Sequence, residues 1–118
     1  MTPDELKGRT KLFAVEVIKF SRTLATDPVT AHFAKQLVRS GTSVGANYRS
    51  SCRAKSQADF VSKMATVEEE ADEVGYWLEI LVEIGATSEK GIAKLRDEAE
   101  QIVRIAVASI KTARGRGR

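Results

Sequence analysis

Cysteine is almost absent: Cys52 stands alone among 118 residues. No internal disulfide can form, and a reducing cytoplasm is the expected setting. Proline occurs only as Pro3 and Pro28, and nothing after Pro28 interrupts the chain. That permits long helices and argues against a fold of many turns. Histidine is equally scarce. His32 is the only one, so the Glu-x-x-His pairs of bundle metal sites are missing, and neither metal nor cofactor is expected. No stretch approaches the roughly 20 apolar residues that span a bilayer. The opening MTPDELKGRTK is too charged for a signal peptide. A soluble protein of one domain, without a membrane partner, is the expectation.

What is present is charge, in blocks. Charged residues make up 30% and the hydrophobic set 42%, a globular composition with a net charge of only +3. Residues 28–55 carry five basic side chains (Lys35, Arg39, Arg49, Arg53, Lys55) and no acid. Residues 56–86 carry eight acids against Lys63 alone. If these segments pack side by side they attract each other, and internal neutralisation is the first explanation of the basic block.

A helical period runs through the whole chain. Thr2-Pro3-Asp4-Glu5 reads as a cap, and Leu6, Thr10, Phe13, Val17, Phe20 and Leu24 follow at alternating spacings of four and three. Asp27-Pro28 opens a second series, Phe33, Leu37, Gly41, Val44, Tyr48, Cys52, in which Cys52 is read as a small buried hydrophobe. Ser56-Gln57-Ala58-Asp59 reads as a capping box before Phe60, Met64, Val67, Ala71, Val74, Leu78 and Leu81. After Gly85-Ala86-Thr87-Ser88 comes Ile92, Leu95, Ala99, Ile102, Ala106, Ser109, Ala113. These patterns predict an all-α fold, an antiparallel up-down-up-down four-helix bundle over residues 1–113, with residues 114–118 as a basic Arg/Gly tail. A 3.5-residue period implies a left-handed twist. Apolar residues outside the main stripes (Val103, Ile105, Val107 and Ile110; Val61, Trp77, Ile80, Val82 and Ile84) exceed what one small core needs, so a homo-oligomer is expected.

The run RSGTSVGANYRSSCRAKS, residues 39–56, has a loop-like composition. A phosphate loop needs GxxxxGK[ST] after a strand, and no lysine follows Gly45. Gly41-Thr42-Ser43-Val44-Gly45 has the letters of a nucleophile elbow, but the heptad passes through it without the strand-to-helix turn that motif requires. It reads instead as a helix with a small-residue face at Gly41 and Gly45, extended by Ala46 and Ala54, which lets another helix approach closely.

Arg39-Ser40-Gly41-Thr42-Ser43-Val44-Gly45-Ala46-Asn47-Tyr48-Arg49, followed by Ala54-Lys55-Ser56-Gln57-Ala58-Asp59-Phe60-Val61-Ser62-Lys63, closely resembles the bacterial four helix bundle protein family. That family includes proteins encoded within intervening sequences of large-subunit ribosomal RNA genes. Glu70-Ala71-Asp72-Glu73 and Tyr76-Trp77-Leu78-Glu79 match its third-helix signature, and the resemblance spans essentially the whole chain. Ser50-Ser51 stands where the family usually has Glu-Ala, which leaves the second helix wholly basic. The resemblance implies a left-handed antiparallel bundle assembled into a ring, most often a pentamer, and no settled activity. The pentameric accessory protein of diversity-generating retroelements, which binds a reverse transcriptase and nucleic acid, is an analogy of fold and assembly, and fold alone does not transmit function.

No nucleophile, base and oxyanion donor can be assembled within the chain, so a non-enzymatic role is expected. The rival is a site shared between subunits, where Ser40, Thr42, Ser43 or Asn47 meets Glu69 or Asp72. The candidate functional residues are basic: Arg39, Arg49 and Arg53, then Arg104 and Lys111, then Arg114, Arg116 and Arg118 in the tail. Glycine-spaced arginines bind nucleic acid through phosphate contacts and stacking. Weak, non-specific RNA binding, as an accessory to a ribonucleoprotein, is the reading; a protein-interaction scaffold is its alternative. The motif residues Ser40, Gly41, Thr42, Ser43, Gly45, Asn47, Tyr48, Asp59, Phe60, Tyr76 and Trp77 are assigned to packing.

Overall fold

The computed structural model describes residues 1–116, apart from the side chain of Arg116. Four helices account for nearly all of them: α1 (Pro3–Ser21), α2 (Pro28–Ser51), α3 (Gln57–Glu83) and α4 (Glu89–Arg116). They form a compact bundle measuring 50 × 22 × 20 Å.

Each helix begins where the sequence supplies a cap. Thr2 Oγ1 accepts from the Glu5 amide at 3.1 Å, and Pro3 fills the first helical position, where an amide has no partner. Asp27 accepts from the Thr30 amide at 3.1 Å. This bond holds the Asp27 carboxyl below the usual carboxylate range. Ser56 accepts from the Asp59 amide at 3.0 Å, while Asp59 reaches back to the amide of Lys55, also at 3.0 Å. The capping box therefore closes one residue earlier than its usual form, on Lys55 and not on Ser56. At the end of α3, Gly85 takes a φ of 79°, and the Ala86 and Gly85 amides bond the Leu81 and Val82 carbonyls at 2.9 and 3.0 Å. This is the Schellman arrangement, and glycine adopts its left-handed residue without steric cost.

The core follows the alternating series. Phe13, Val17, Leu37, Val44, Met64, Val67, Leu78, Leu81, Ile92 and Ile102 are all buried. Removing each large aliphatic side chain from water is worth about 1.5–3 kcal/mol. Cys52, Ser109 and Ala113 depart from the expected pattern, and Phe20, Phe33 and Phe60 are only partly buried at its edge. Cys52 is exposed, because α2 ends at Ser51 and the chain turns away one residue too soon. Ser51 is buried in its place, and its hydroxyl donates to the Tyr48 carbonyl at 2.6 Å. In α4, Ile110 is buried while Ser109 and Ala113 are only half-buried, so the core stripe shifts by one residue in the last turns. The helix also continues through Arg116, past the expected end at Ala113. Gly117 and Arg118 of the expected tail lie outside the described residues.

Gly41 and Gly45 face α1. A Cβ placed on Gly41 would stand 2.8 Å from Val17 Cγ1, and one on Gly45 would stand 3.2 Å from Thr10 Oγ1. The close crossing expected from the small-residue face is present. Its extension is not: Ala46 is exposed and Ala54 lies beyond the helix. α1 packs intimately against α2 and touches α4 far less, whereas α3 is packed closely by both α2 and α4.

Gly41→Ala should therefore destabilise the fold by about 1–3 kcal/mol, the usual cost of overpacking. Gly8, also helical, has open space around its missing Cβ. Gly8→Ala should stabilise by about 0.4–1 kcal/mol through the unfolded chain. Urea melts of the two variants check this; equal stability would mean that the α1–α2 crossing is not tight.

Candidate nucleic-acid interface

Phase along each helix decides which charges can meet. Arg39 lies on the flank of α2 that borders α3. Its guanidinium bonds Glu73 at 2.7 Å and Glu70 at 3.3 Å. Beside it, Ser40 is fully buried. The Ser40 hydroxyl accepts from Trp77 Nε1 at 3.2 Å and from Arg39 Nη2 at 3.1 Å, and it faces Glu73 at 3.3 Å. Five residues of the recognised motifs thus form one polar cluster between α2 and α3. Exposed ion pairs contribute little, but this one is joined to buried donors and acceptors that need one another.

Neutralisation of α2 by α3 stops at Arg39. Among the described residues, Lys35, Arg49, Arg53 and Lys55 form no ion pair, and neither do Glu69, Asp72, Glu79 or Glu83. The expected wholesale cancellation of the two blocks does not occur. Lys63 instead pairs with Asp59 on its own helix at 3.0 Å. Arg104, Lys111 and Arg114 on α4 are exposed. The side chains of Arg116 and Arg118 lie outside the described residues.

The remaining motif residues serve the helices. Thr42 and Ser43 donate to the carbonyls of Val38 and Arg39 at 2.8 and 2.7 Å, and Asn47 Nδ2 donates to the Ser43 carbonyl at 2.8 Å. Tyr48 is buried, and burial pushes its hydroxyl well above the usual tyrosine range. Phe60 and Trp77 pack at the edge of the core. Trp77 is sandwiched between Phe33 and Tyr76, at ring separations of 6.0 and 5.1 Å; only Tyr76 is largely exposed. Among the described residues, no three His, Cys, Asp or Glu side chains converge as metal ligands do. No described helix is long and apolar enough to cross a membrane.

Four grooves stand out among the described residues; one of about 440 Å³, by the start of α3, is lined by Gln57, Ala58, Val61, Ser62 and Arg114 and also lacks an acid. The α1–α4 groove, about 600 Å³, has an apolar floor including Phe13, Phe20 and Leu95, with Glu16, Lys19 and Lys94 at its edge. Arg9 bridges it, bonding Glu98 through two nitrogens and Gln101 through one, each at 2.7 Å. The α3–α4 groove, about 270 Å³, is mostly acidic, with Asp72, Glu79 and Glu100 against Arg96. The α1–α2 groove, about 290 Å³, carries Lys11 and Arg49 and no acid. Sequence reasoning passed over Lys11 and Arg9, because their partners belong to helices far along the chain. The Gly41 and Gly45 spacing was the one signal that could have located Lys11, since it sets which residues of α1 border α2.

The model of the 23S rRNA-intervening sequence protein family matches residues 5–108. A crystal structure at 1.70 Å resolution of a protein with unknown function from the S23 ribosomal protein family of Bacteroides thetaiotaomicron VPI-5482 is similar to this chain. The TM-score is 0.82 at 31% identity, covering 89% of this chain and 97% of the other. No curated protein is significantly similar.

The buried Ser40 hydroxyl yields a test of the polar cluster. Ser40→Ala leaves Trp77 Nε1 without its acceptor and should cost about 1–3 kcal/mol. Ser43→Ala removes only a bond to its own helix and should stay within about 0.5 kcal/mol of wild type. Denaturant melts followed by Trp77 fluorescence distinguish the two.

Proposed function

Because the chain belongs to the 23S rRNA-intervening sequence protein family, we propose that it is a non-enzymatic, homo-oligomeric RNA-binding bundle. It contacts the phosphates of structured RNA without reading sequence and serves as an accessory to a ribonucleoprotein in the cytoplasm. The observation that carries this reading is that only Arg39 of the α2 cations is neutralised by α3. Arg49 and Arg53, with Arg104, Lys111 and Arg114 on α4, remain exposed to a polyanion.

The bundle in this reading is antiparallel, up-down-up-down and left-handed. Val17 meets Gly41 and Thr10 meets Gly45, so numbers rise along α1 as they fall along α2. Gln57, at the start of α3, meets the Ala113 carbonyl near the end of α4, which supports the same opposite sense for that pair. Assembly is supported by apolar side chains the bundle does not bury. Leu12 is 59% and Ile84 44% exposed. Val61, Val103, Ile105 and Val107 are half-buried. A closed ring, a pentamer by family resemblance, would cover such surface and repeat each basic patch around its circumference. Absence of catalysis is favoured because Ser40, Thr42 and Ser43 commit their hydroxyls to Glu73 or to backbone carbonyls.

Light scattering at micromolar concentration should give the mass of several chains; a monomer would remove the assembly. Gel shifts with ribosomal RNA fragments should show binding at low salt that weakens steeply toward physiological salt. Truncation after Ala113, which removes Arg114, Arg116 and Arg118, should lower both affinity and salt slope. No shift at low salt leaves a protein-interaction scaffold.

A further inference from the structure

We infer that the groove between α1 and α2 is a binding site for the phosphodiester backbone of RNA, held by Lys11 and Arg49. This rests on the RNA-binding reading above and gives it a location. Of these grooves, this one joins two cations with no carboxylate in its lining, whereas the acid-free groove by the start of α3 has Arg114 alone. Neither cation has an ion-pair partner among the described residues.

The groove follows from the glycine crossing. Because α1 lies almost against the backbone of α2 at Gly41 and Gly45, residues flanking that contact are drawn together. Two like charges converging on one crevice repel each other, and an anion placed between them relieves the repulsion. The floor is Ala14, Gly45 and Ala46, small enough to admit a backbone and too shallow to hold a large side chain. Thr10 and Thr42 line the walls, but both hydroxyls already donate to their own helices, to Leu6 and Val38. Recognition therefore falls to an ammonium and a guanidinium fork, a combination suited to phosphate oxygens.

Charge continues along the same line. Lys7 lies one turn before Lys11 on α1, and the exposed Arg53 follows two residues past the end of α2. Asp4 and Glu5, in the first turn of α1, bound this line at its end. A row of cations over a featureless floor fits a polymer with a charge at every residue better than an acidic peptide with side chains to accommodate.

The test is fluorescence anisotropy with the full chain and a labelled oligouridylate, titrated at several salt concentrations. The double variant Lys11→Ala/Arg49→Ala should bind about tenfold more weakly at low salt, and its salt slope should flatten by about 1.4, two contacts at about 0.7 each. Ala46→Leu fills the floor without changing charge and should weaken binding while preserving helicity by circular dichroism. A charge-matched control, Arg22→Ala/Lys90→Ala, removes two exposed cations outside the groove and should bind as wild type. If the control loses as much as the groove variant, attraction is diffuse and the site is refuted. Unchanged affinity in the groove variant refutes the site and leaves the RNA reading intact. If that variant alters only the oligomeric mass, the groove is instead a contact with the acidic face of a second copy. No binding by wild type at low salt removes the groove site, while the gel shifts with ribosomal RNA fragments decide the RNA reading separately.

Discussion

The approach of α1 to α2 at Gly41 and Gly45 is the constraint from which the arrangement follows. A glycine inside a helix costs about 1 kcal/mol relative to alanine, and α2 carries two of them one turn apart. Val17, fully buried, occupies the space that a Cβ on Gly41 would take. Drawn onto α2, α1 stands away from α4, leaving the α1–α4 seam loose over its apolar floor. The Arg9 bonds to Glu98 and Gln101 then act across that seam as a polar strap in place of close packing. Glu98 in turn holds the Arg9 guanidinium more firmly protonated.

Helical phase, rather than the order of charges along the chain, decides how much of the electrostatics is internal. α2 is basic throughout and α3 is strongly acidic, and the two pack closely. Yet only Arg39, adjacent to the buried Ser40, reaches acids on the facing flank of α3, at Glu70 and Glu73. Arg49 on α2 and Arg53 just past its end are exposed, and Glu69, Asp72, Glu79 and Glu83 are exposed on α3. One surface stays positive and another negative. Charge at such positions is available to something other than the fold.

The four helices were legible because each signal was local: a cap, a four-three apolar alternation and a stop at Gly85. Boundaries slipped where local rules gave out. The alternation carried Cys52 inward, but the end of α2 depends on how the turn to Ser56 closes, and Ser51 took the buried place. The alternating spacing also favoured Ser109 and Ala113, whereas a straight helix of 3.6 residues per turn drifts against a strict 3.5-residue repeat, so Ile110 became the core residue. The small-residue face disclosed a close crossing without naming its partner. For that reason Lys11 was invisible as a neighbour of Arg49: their separation in the chain carries no information until Thr10 is placed against Gly45.

Two cations in a shallow groove make a weak site, since each phosphate contact competes with salt. In a single bundle such a site would be marginal. In the proposed ring the same groove recurs on every subunit at fixed spacing, and a folded RNA that engages one groove meets the next at high effective concentration. Weak contacts then give useful affinity without any base-specific feature. The motif residues support this economy indirectly. Gly41 and Gly45 draw α1 onto α2, while the Arg39–Ser40–Trp77 cluster ties α2 to α3. With α2 held on both sides, Arg49 is presented from a fixed helix, and little ordering of the backbone remains to oppose binding.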